Sequence, residues 1–168
     1  MTLGFAELEA GDAIELKGPI GHFTWQGDGK ALIHGTTAVV REVGMVCGGS
    51  GITPILQVLR GIFEDPSDTV TKAWVLDINR ELEDILCREE LDSLFARYPS
   101  RLSLRYSLTG KSVPADWTHS VGRVNDEMLQ THLPPPSKEG VICLCGPPPM
   151  EQSVTSESFL NTNSTAPF

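Results

Sequence analysis

Residues 43–54 read VGMVCGGSGITP and decide the fold. The run Val43–Cys47 is short and apolar, as is typical of a strand buried on both faces. Downstream, the spacing of Ile55, Leu59 and Ile62 indicates a helix that begins near the proline of the stretch. The glycines between the strand and the helix therefore stand on a strand-to-helix turn.

Glycines on such a turn allow positive φ angles and let a ligand approach the main-chain N–H groups. The N-terminus of the following helix adds unpaired donors and a partial positive charge, so a phosphate is the expected ligand. The pattern differs from the GxGxxG of the common dinucleotide-binding fold, because Pro54 replaces the third glycine. An ordinary tight connection uses the same residues, and the turn alone leaves both interpretations open.

Composition and charge narrow the class of protein. The chain has 168 residues, of which 40% are hydrophobic and 21% charged, as expected for one compact domain or one domain with part of another. A net charge of −9 without a basic stripe argues against a nucleic-acid partner. Residues 1–7 do not resemble a signal peptide, and no apolar stretch is long enough to span a membrane. We therefore expect a soluble, cytoplasmic protein with no membrane partner.

The four cysteines do not form paired CxxC motifs, and disulfides are not expected in the cytoplasm. Cys143 and Cys145 alternate along one predicted strand and would point to the same face, which is a possible arrangement for a soft metal. Because no second Cys or His pair stands at zinc spacing, we predict no metal site.

Residues 1–42 have the pattern of antiparallel β structure. Residues 12–17 alternate in polarity, and 18–21 and 27–30 have the glycines and polar residues of turns. Since two or three strands do not make a stable sheet alone, this segment is predicted to be the end of a larger β domain.

From residue 43 onward, strands alternate with helices. The strands are predicted at 43–47, 71–78, 102–108 and 141–145, and the helices at 54–62, 84–98 and 125–132. This order predicts an α/β fold with a doubly wound parallel sheet, in which ligands bind at the carboxyl ends of the strands.

Two loops are then expected at the same edge of that sheet. One is the glycine turn, and the other is Cys145–Met150, which reads CGPPPM directly after the last predicted strand. The Gly-Pro-Pro-Pro run alone would also suit a stiff connection. Together, the two loops at paired strand ends predict one shared ligand site.

Three motifs in this order resemble a known family. Gly49–Pro54, Asp84–Leu91 and Cys145–Met150 are similar to the nicotinamide-binding half of the ferredoxin-reductase-like flavoproteins, particularly of cytochrome b5 reductases and of the C-terminal reductase region of eukaryotic, fungal-type assimilatory nitrate reductases. Gly18–Phe23 is most similar to the nitrate reductase version. The resemblance covers residues 1–152.

The resemblance implies a division of labour. A β-barrel holds FAD, the α/β half holds NADH or NADPH, and a hydride passes from the nicotinamide C4 to the flavin N5. The flavin then passes single electrons to a haem-containing acceptor domain and onward to a molybdenum centre that reduces nitrate to nitrite. The haem and the molybdenum cofactor are expected in domains outside this chain.

The resemblance also implies roles for individual residues. Cys145 is assigned to the catalytic centre, where it would align the hydride donor without acting as a covalent nucleophile; otherwise it is a small buried hydrophobe. The residues assigned to cofactor binding are Met1, Thr2, Gly48, Gly49, Ser50, Gly51, Ile52, Thr53, Pro54, Asp77, Asn79, Arg80, Asp84, Cys145, Gly146, Pro147, Pro148 and Met150.

The choice of coenzyme depends on the residues after the second predicted strand. The carboxylate of Asp84 could accept hydrogen bonds from ribose hydroxyls and repel a 2′-phosphate, which favours NADH. Arg80 could bind that phosphate and leaves NADPH open. Asp84 and Arg80, together with Asp77 and Asn79, would also suit a solvated loop and the start of a helix that bind no ligand.

The two ends of the chain depart from the family pattern. Met1 and Thr2 match only the end of the flavin phosphate loop, and the polar residues 153–168 are expected to be disordered. We therefore divide the chain into a remnant of the FAD-binding barrel at 1–42, an NAD(P)H-binding domain at 43–152 and a tail at 153–168. A nitrate reductase region, a cytochrome b5 reductase and a non-catalytic nucleotide-binding fragment all remain open.

Overall fold

The computed structural model describes residues 8–15, 17, 21–156 and 165–167. Met1 and Thr2, which the resemblance assigns to FAD, lie outside the described residues. A small antiparallel sheet comprises β1 (Phe23–Gly27), β2 (Lys30–Ile33) and β3 (Thr36–Val39), in that spatial order. Its two hairpin turns each contain a non-glycine residue followed by a glycine, both at positive φ, as tight hairpins require.

The main sheet is parallel throughout and has six strands. They are β4 (Glu42–Cys47), β5 (Lys72–Asn79), β6 (Leu102–Leu108), β7 (Ser120–Val121), β8 (Gly140–Cys145) and β9 (Thr165–Pro167). Their spatial order is β7-β6-β5-β4-β8-β9. The chain therefore adds β5, β6 and β7 on one side of β4 and then β8 and β9 on its other side. The boundary between β4 and β8 is the switch point, at which open α/β sheets bind their ligands.

Helices cover both faces of this sheet. They are α1 (Ile52–Phe63), α2 (Arg88–Arg97), α3 (Asp126–His132) and α4 (Pro148–Ser156). Buried residues of α1 and α2 pack with one set of strand residues, among them Met45 and Val75. Buried residues of α3 and α4 pack with the alternate set, among them Val46 and Leu76. The predicted doubly wound α/β fold is therefore confirmed, because alternating strand residues bury against opposite helical layers.

The second helix begins later than the sequence pattern predicts. Asp84 belongs to a short 3₁₀ turn, Leu82–Asp84, whose capping box joins the side chains and backbones of Glu81 and Asp84. Cys87 then adopts the left-handed conformation, with φ of 54°, and α2 starts only at the next residue. A left-handed residue cannot continue an α-helix, so the predicted helix is divided in two.

Two parts of the segment 153–168, which the sequence pattern predicts to be disordered, have regular structure. Helix α4 continues through Ser156, and Thr165–Pro167 pairs in parallel with β8. None of the helices within the described residues is long and apolar enough to cross a membrane.

Candidate functional site

The two loops predicted to share a site lie side by side. Strands β4 and β8 are paired in register, with Cys47 opposite Cys145. The N–H of Gly48 donates a hydrogen bond to the carbonyl of Cys145 at 3.2 Å, which joins the two loops directly after their strands. The carboxyl edge of the sheet therefore places the glycine turn against the Cys145–Met150 loop.

The glycines of the turn are required by space as well as by backbone conformation. A Cβ atom on Gly51 would overlap the carbonyl of Cys145, and one on Gly48 would lie 2.9 Å from the carbonyl oxygen of Ile78. Gly49 has a φ of +56°, which other residues adopt only at a cost. The close contact of the two strand ends therefore depends on these glycines.

A cleft of about 600 Å³ opens beside the glycine turn. It runs between the ends of β4 and β5 and the start of α4. Seven of the sequence-predicted residues line it: Gly48, Gly49, Asn79, Arg80, Asp84, Pro147 and Met150. The volume is that of a typical small-ligand pocket, and its position at the switch point suits a nucleotide.

Asn79 joins the loops that surround the cleft. Its side-chain Oδ1 accepts a hydrogen bond from the N–H of Gly49 at 3.1 Å, and its backbone carbonyl accepts one from the N–H of Thr109 at 2.9 Å. The residue is only 5% exposed, and its side-chain Nδ2 has no hydrogen-bond partner among the described residues. Asn79 therefore fixes the glycine turn and the loop after β6 beside the cleft.

The outer wall of the cleft carries both signs of charge. The carboxylate of Asp84 accepts from the N–H of Glu81 at 3.0 Å and remains exposed, next to Glu83. Arg80 and Arg123 line the same cleft, and neither side chain has an ion-pair or hydrogen-bond partner among the described residues. The two cations suit the phosphates of a dinucleotide, while the carboxylates suit ribose hydroxyls.

Asp77 does not line the cleft, although the sequence assigns this residue to cofactor binding. Its side chain is 1% exposed and lies within the sheet, where the Cys47 thiol donates to its Oδ1 at 3.5 Å. Burial raises the pKa of Asp77 to about 6, although the hydrogen bond from the Cys47 thiol and the nearby Asn79 amide lower it. Burial and the Asp77 charge likewise raise the pKa of the Cys47 thiol. Asp77 therefore lies under the site and does not contact the cleft.

Cys145 is half-buried at the end of β8 and is not part of the cleft wall. Burial, followed by the nearby charge of Glu151, raises the pKa of its thiol. A thiol that stays protonated is a poor nucleophile, in agreement with the alignment role expected for Cys145.

The remaining residues of the glycine turn and its helix start are either exposed to solvent or packed against the core. Ser50 and Thr53 are exposed at the start of α1, where the Thr53 hydroxyl donates to the Ser50 carbonyl at 2.9 Å. Ile52 is fully buried in the core, and Pro54 lies in the first turn of α1. Gly146 lies in the loop beyond Cys145 and Pro148 begins α4, but neither residue lines the cleft.

Some residues of the site were missed in the sequence. Thr109 follows β6 directly, so the rule that ligands bind at strand ends could have identified it. Glu83 lies one residue before Asp84 and lines the cleft with it, although no motif singles it out. Arg123 lies in the loop before α3, and Glu151 lies in the first turn of α4; no sequence signal separates either from ordinary surface charges.

The histidines lie away from the cleft. The rings of His22 and His34 stack with centroids 4.9 Å apart beside the small sheet, and the ring of His119 lies edge-on to that of Tyr106 at 5.1 Å. Within the described residues, no group of three or more His, Cys, Asp or Glu side chains is arranged to hold a metal ion.

Comparison with known protein families defines the class of protein to which this chain belongs. The family model described as an oxidoreductase NAD-binding domain matches residues 45–156, and the chain belongs to this family. The match begins inside β4 and ends with α4, so it includes the glycine turn, the cleft and the Cys145 loop.

The relatives specify the branch of the family. Rat NADH-cytochrome b5 reductase 3 is 43% identical over 158 residues, which cover 90% of this chain and 52% of that protein. The nitrate reductase (NADPH) of Aspergillus niger is 42% identical over 153 residues, which cover 91% of this chain and 17% of that protein. The chain is thus homologous to both groups of reductases and spans about half, or less, of the length of these relatives.

A solved structure agrees with this assignment. The crystal structure of the cytochrome b5 reductase domain of Ulva prolifera nitrate reductase matches with a TM-score of 0.83 and 34% identity, over 90% of this chain and 55% of that one. The family resemblance drawn from the three sequence motifs is confirmed.

Proposed function

We propose that this chain is the NAD(P)H-binding part of a flavin-dependent reductase of the nitrate reductase type. In this role it transfers a hydride from NADH or NADPH to FAD, and the electrons continue to haem and molybdenum centres in other domains to reduce nitrate to nitrite. The observation that carries the proposal is the contact between the glycine turn and the Cys145 loop beside a nucleotide-sized cleft. We expect the protein to act in the cytoplasm.

The residues of the chain supply binding and orientation. The cleft would take the adenosine and diphosphate of the coenzyme, with Asn79 in its wall and the guanidinium groups of Arg80 and Arg123 as donors. The nicotinamide would then extend towards Cys145, across the glycine turn. The bound cofactors would supply the hydride chemistry itself, and the chain would fix the geometry in which it occurs.

The proposal that this chain contributes to FAD binding is supported by its family membership. Met1 and Thr2 would contact its phosphates, and the small sheet β1–β3 would belong to the barrel that holds it. The domain boundary proposed at residue 42 falls at the first residue of β4, where the small antiparallel sheet gives way to the parallel one.

The coenzyme preference follows from charges on the cleft wall. Asp84 and Glu83 would disfavour an extra phosphate, which supports NADH. Arg80 and Arg123 would attract it, so NADPH remains a usable coenzyme.

A second candidate function is that of a cytochrome b5 reductase. It is favoured by the 43% identity to the rat enzyme, which is as high as the identity to nitrate reductases. The acceptor distinguishes the two proposals, because a reductase of the first kind passes electrons to a haem domain of its own polypeptide. A non-catalytic nucleotide-binding fragment is the third possibility, and it would bind coenzyme without reducing flavin.

Anaerobic mixing with NADH and FAD tests the proposal. The absorbance of FAD should bleach at a rate that depends on the concentration of the protein and falls in the Gly51→Ala variant. Saturable NADH binding without any acceleration of flavin reduction would instead assign the chain to the non-catalytic fragment.

A further inference from the structure

The peptide group between Cys145 and Gly146 is held at both of its polar atoms. Its carbonyl oxygen accepts a hydrogen bond from the N–H of Gly48 at 3.2 Å. Its N–H donates to the side-chain Oε1 of Glu151, also at 3.2 Å. One bond comes from the glycine turn and the other from the first turn of α4, so this peptide links both loops of the site.

Glu151 is the side chain that satisfies this N–H. A Cβ atom on Gly146 would lie 3.2 Å from both the Gly48 nitrogen and the Met150 sulfur, which shows how tightly the peptide is enclosed. The backbone N–H of Glu151 donates to the carbonyl of Pro147 at 3.1 Å, which fixes the start of its side chain. A carboxylate acceptor makes a stronger hydrogen bond than a neutral one.

We propose that Glu151 is a positioning residue for the hydride-donor site: its carboxylate clamps the Cys145–Gly146 peptide and places a negative charge beside the Cys145 thiol. This inference rests on the proposed function, in which Cys145 lies near the nicotinamide. Glu151 itself is half-buried and does not line the cleft. It acts through the peptide that it holds and through its charge.

The charge has two consequences. It helps to keep the Cys145 thiol protonated, in agreement with the raised pKa of that thiol. It also attracts the oxidised nicotinamide ring, which is positively charged, more strongly than the neutral reduced ring. Loss of the carboxylate should therefore weaken NAD⁺ binding relative to NADH binding.

Other titratable groups near Cys145 do not depend on Glu151. Cys47 lies opposite on β4, and Asp77 contacts Cys47 from β5. Neither makes a hydrogen bond with Glu151, so we expect differences between Glu151 variants to report the Glu151 charge.

Hydrogen exchange of the Gly146 amide tests the clamp. The next three residues are prolines without an amide proton, so this amide is well isolated in a peptide fragment. The Glu151→Ala variant should exchange it about tenfold faster, because a partly buried hydrogen bond of about 1.4 kcal/mol is lost. Glu151→Gln, which keeps an acceptor oxygen, should stay closer to the wild type. Equal exchange in all three proteins would overturn the clamp.

Alkylation of Cys145 tests the charge. With iodoacetamide and mass spectrometry of each cysteine peptide, Glu151→Gln should make Cys145 react about twofold faster or more near pH 8, because removing the charge raises its thiolate fraction. The exposed Cys87 is the internal reference and should not change. Glu127→Gln, on the exposed face of α3, is the matched control. An unchanged Cys145 rate in Glu151→Gln would contradict the charge effect.

Coenzyme titrations complete the test. The ratio of the NAD⁺ and NADH dissociation constants should shift towards NADH in Glu151→Gln and remain constant in Glu127→Gln. An unchanged ratio would contradict the electrostatic role. If the wild type bound neither coenzyme, the proposed function would fail, and the exchange and alkylation results would still decide whether Glu151 positions the loop.

Discussion

Asn79 and Gly49 are joined across the mouth of the cleft by a hydrogen bond of 3.1 Å, in which the side chain at the end of β5 accepts from the backbone of the glycine turn. The same side chain keeps a buried donor without a partner among the described residues. The oxygen of this side chain therefore holds the glycine turn beside the cleft, while its nitrogen is enclosed by protein atoms.

Replacement of Asn79 tests the contribution of this side chain to coenzyme binding. Asn79→Asp keeps the acceptor for Gly49 but adds a carboxylate at the wall of the cleft and near Asp77. We expect NADH to bind about tenfold more weakly, because the added negative charge repels the diphosphate of the coenzyme. Fluorescence titration with NADH measures this effect, and Asn79→Ala should add a loss of about 1–2 kcal/mol in the free energy of unfolding. Unchanged coenzyme affinity in both variants would remove Asn79 from the site.

Gly51→Ala should disrupt the contact between the two loops. The new methyl group would overlap the backbone carbonyl of Cys145, which cannot move without displacing the end of β8. We expect a loss of about 1–3 kcal/mol in the free energy of unfolding, measured by urea denaturation. Gly21→Ala is the matched control, because a Cβ there meets no atom within 4 Å. Equal stability of the two variants would show that the close approach at Gly51 is not required.

Asp77 should make stability depend on pH. Its pKa is raised from 3.8 to about 6, so folding opposes ionisation, and the stability present below about pH 4 is lost as the pH rises through 6. Asp77→Asn, which has no charge to bury, should be more stable than the wild type near pH 8, by up to about 3 kcal/mol. The difference should shrink towards pH 4. Thermal unfolding at several pH values measures it, and a difference that is independent of pH would contradict the buried carboxylate.

The charges of the cleft wall should set the coenzyme preference. Asp84→Asn should improve the binding of NADPH relative to NADH by about fivefold, because an exposed like-charge contact of about 1 kcal/mol is removed. Arg123→Ala should shift the ratio in the opposite direction. Dissociation constants for both coenzymes, measured at two salt concentrations, check both shifts, since the effects should weaken at high salt. Identical ratios in the two variants would place the 2′-position of the coenzyme away from this wall.

The sequence predicted the parts of the site that depend on strand ends. Residues 43–54 predict a strand, a turn and the start of a helix, because the spacing of the apolar residues and the glycine content both change within a few positions. The pairing of the glycine turn with the Cys145 loop follows from the parallel sheet, and Cys47 indeed lies opposite Cys145.

The features that sequence reasoning missed depend on tertiary contacts. Asp77 was assigned to the cleft because it stands near the end of a strand, but it lies two residues before that end and its side chain packs in the core beside Cys47. The left-handed Cys87 separates the 3₁₀ turn at Leu82–Asp84 from α2, although no glycine marks that position. Glu151 looks like an ordinary first-turn carboxylate until the fold places it against the Gly146 N–H.

Steady-state reduction of ferricyanide by NADH, with the purified chain and excess FAD, measures whether this chain assembles a hydride-transfer site. We expect turnover that requires both the chain and FAD, saturates with NADH and falls in Cys145→Ala, while the control variant Cys87→Ala stays at the wild-type rate. A folded protein that binds NADH but shows no turnover above free FAD would instead be a nucleotide-binding domain without reductase activity.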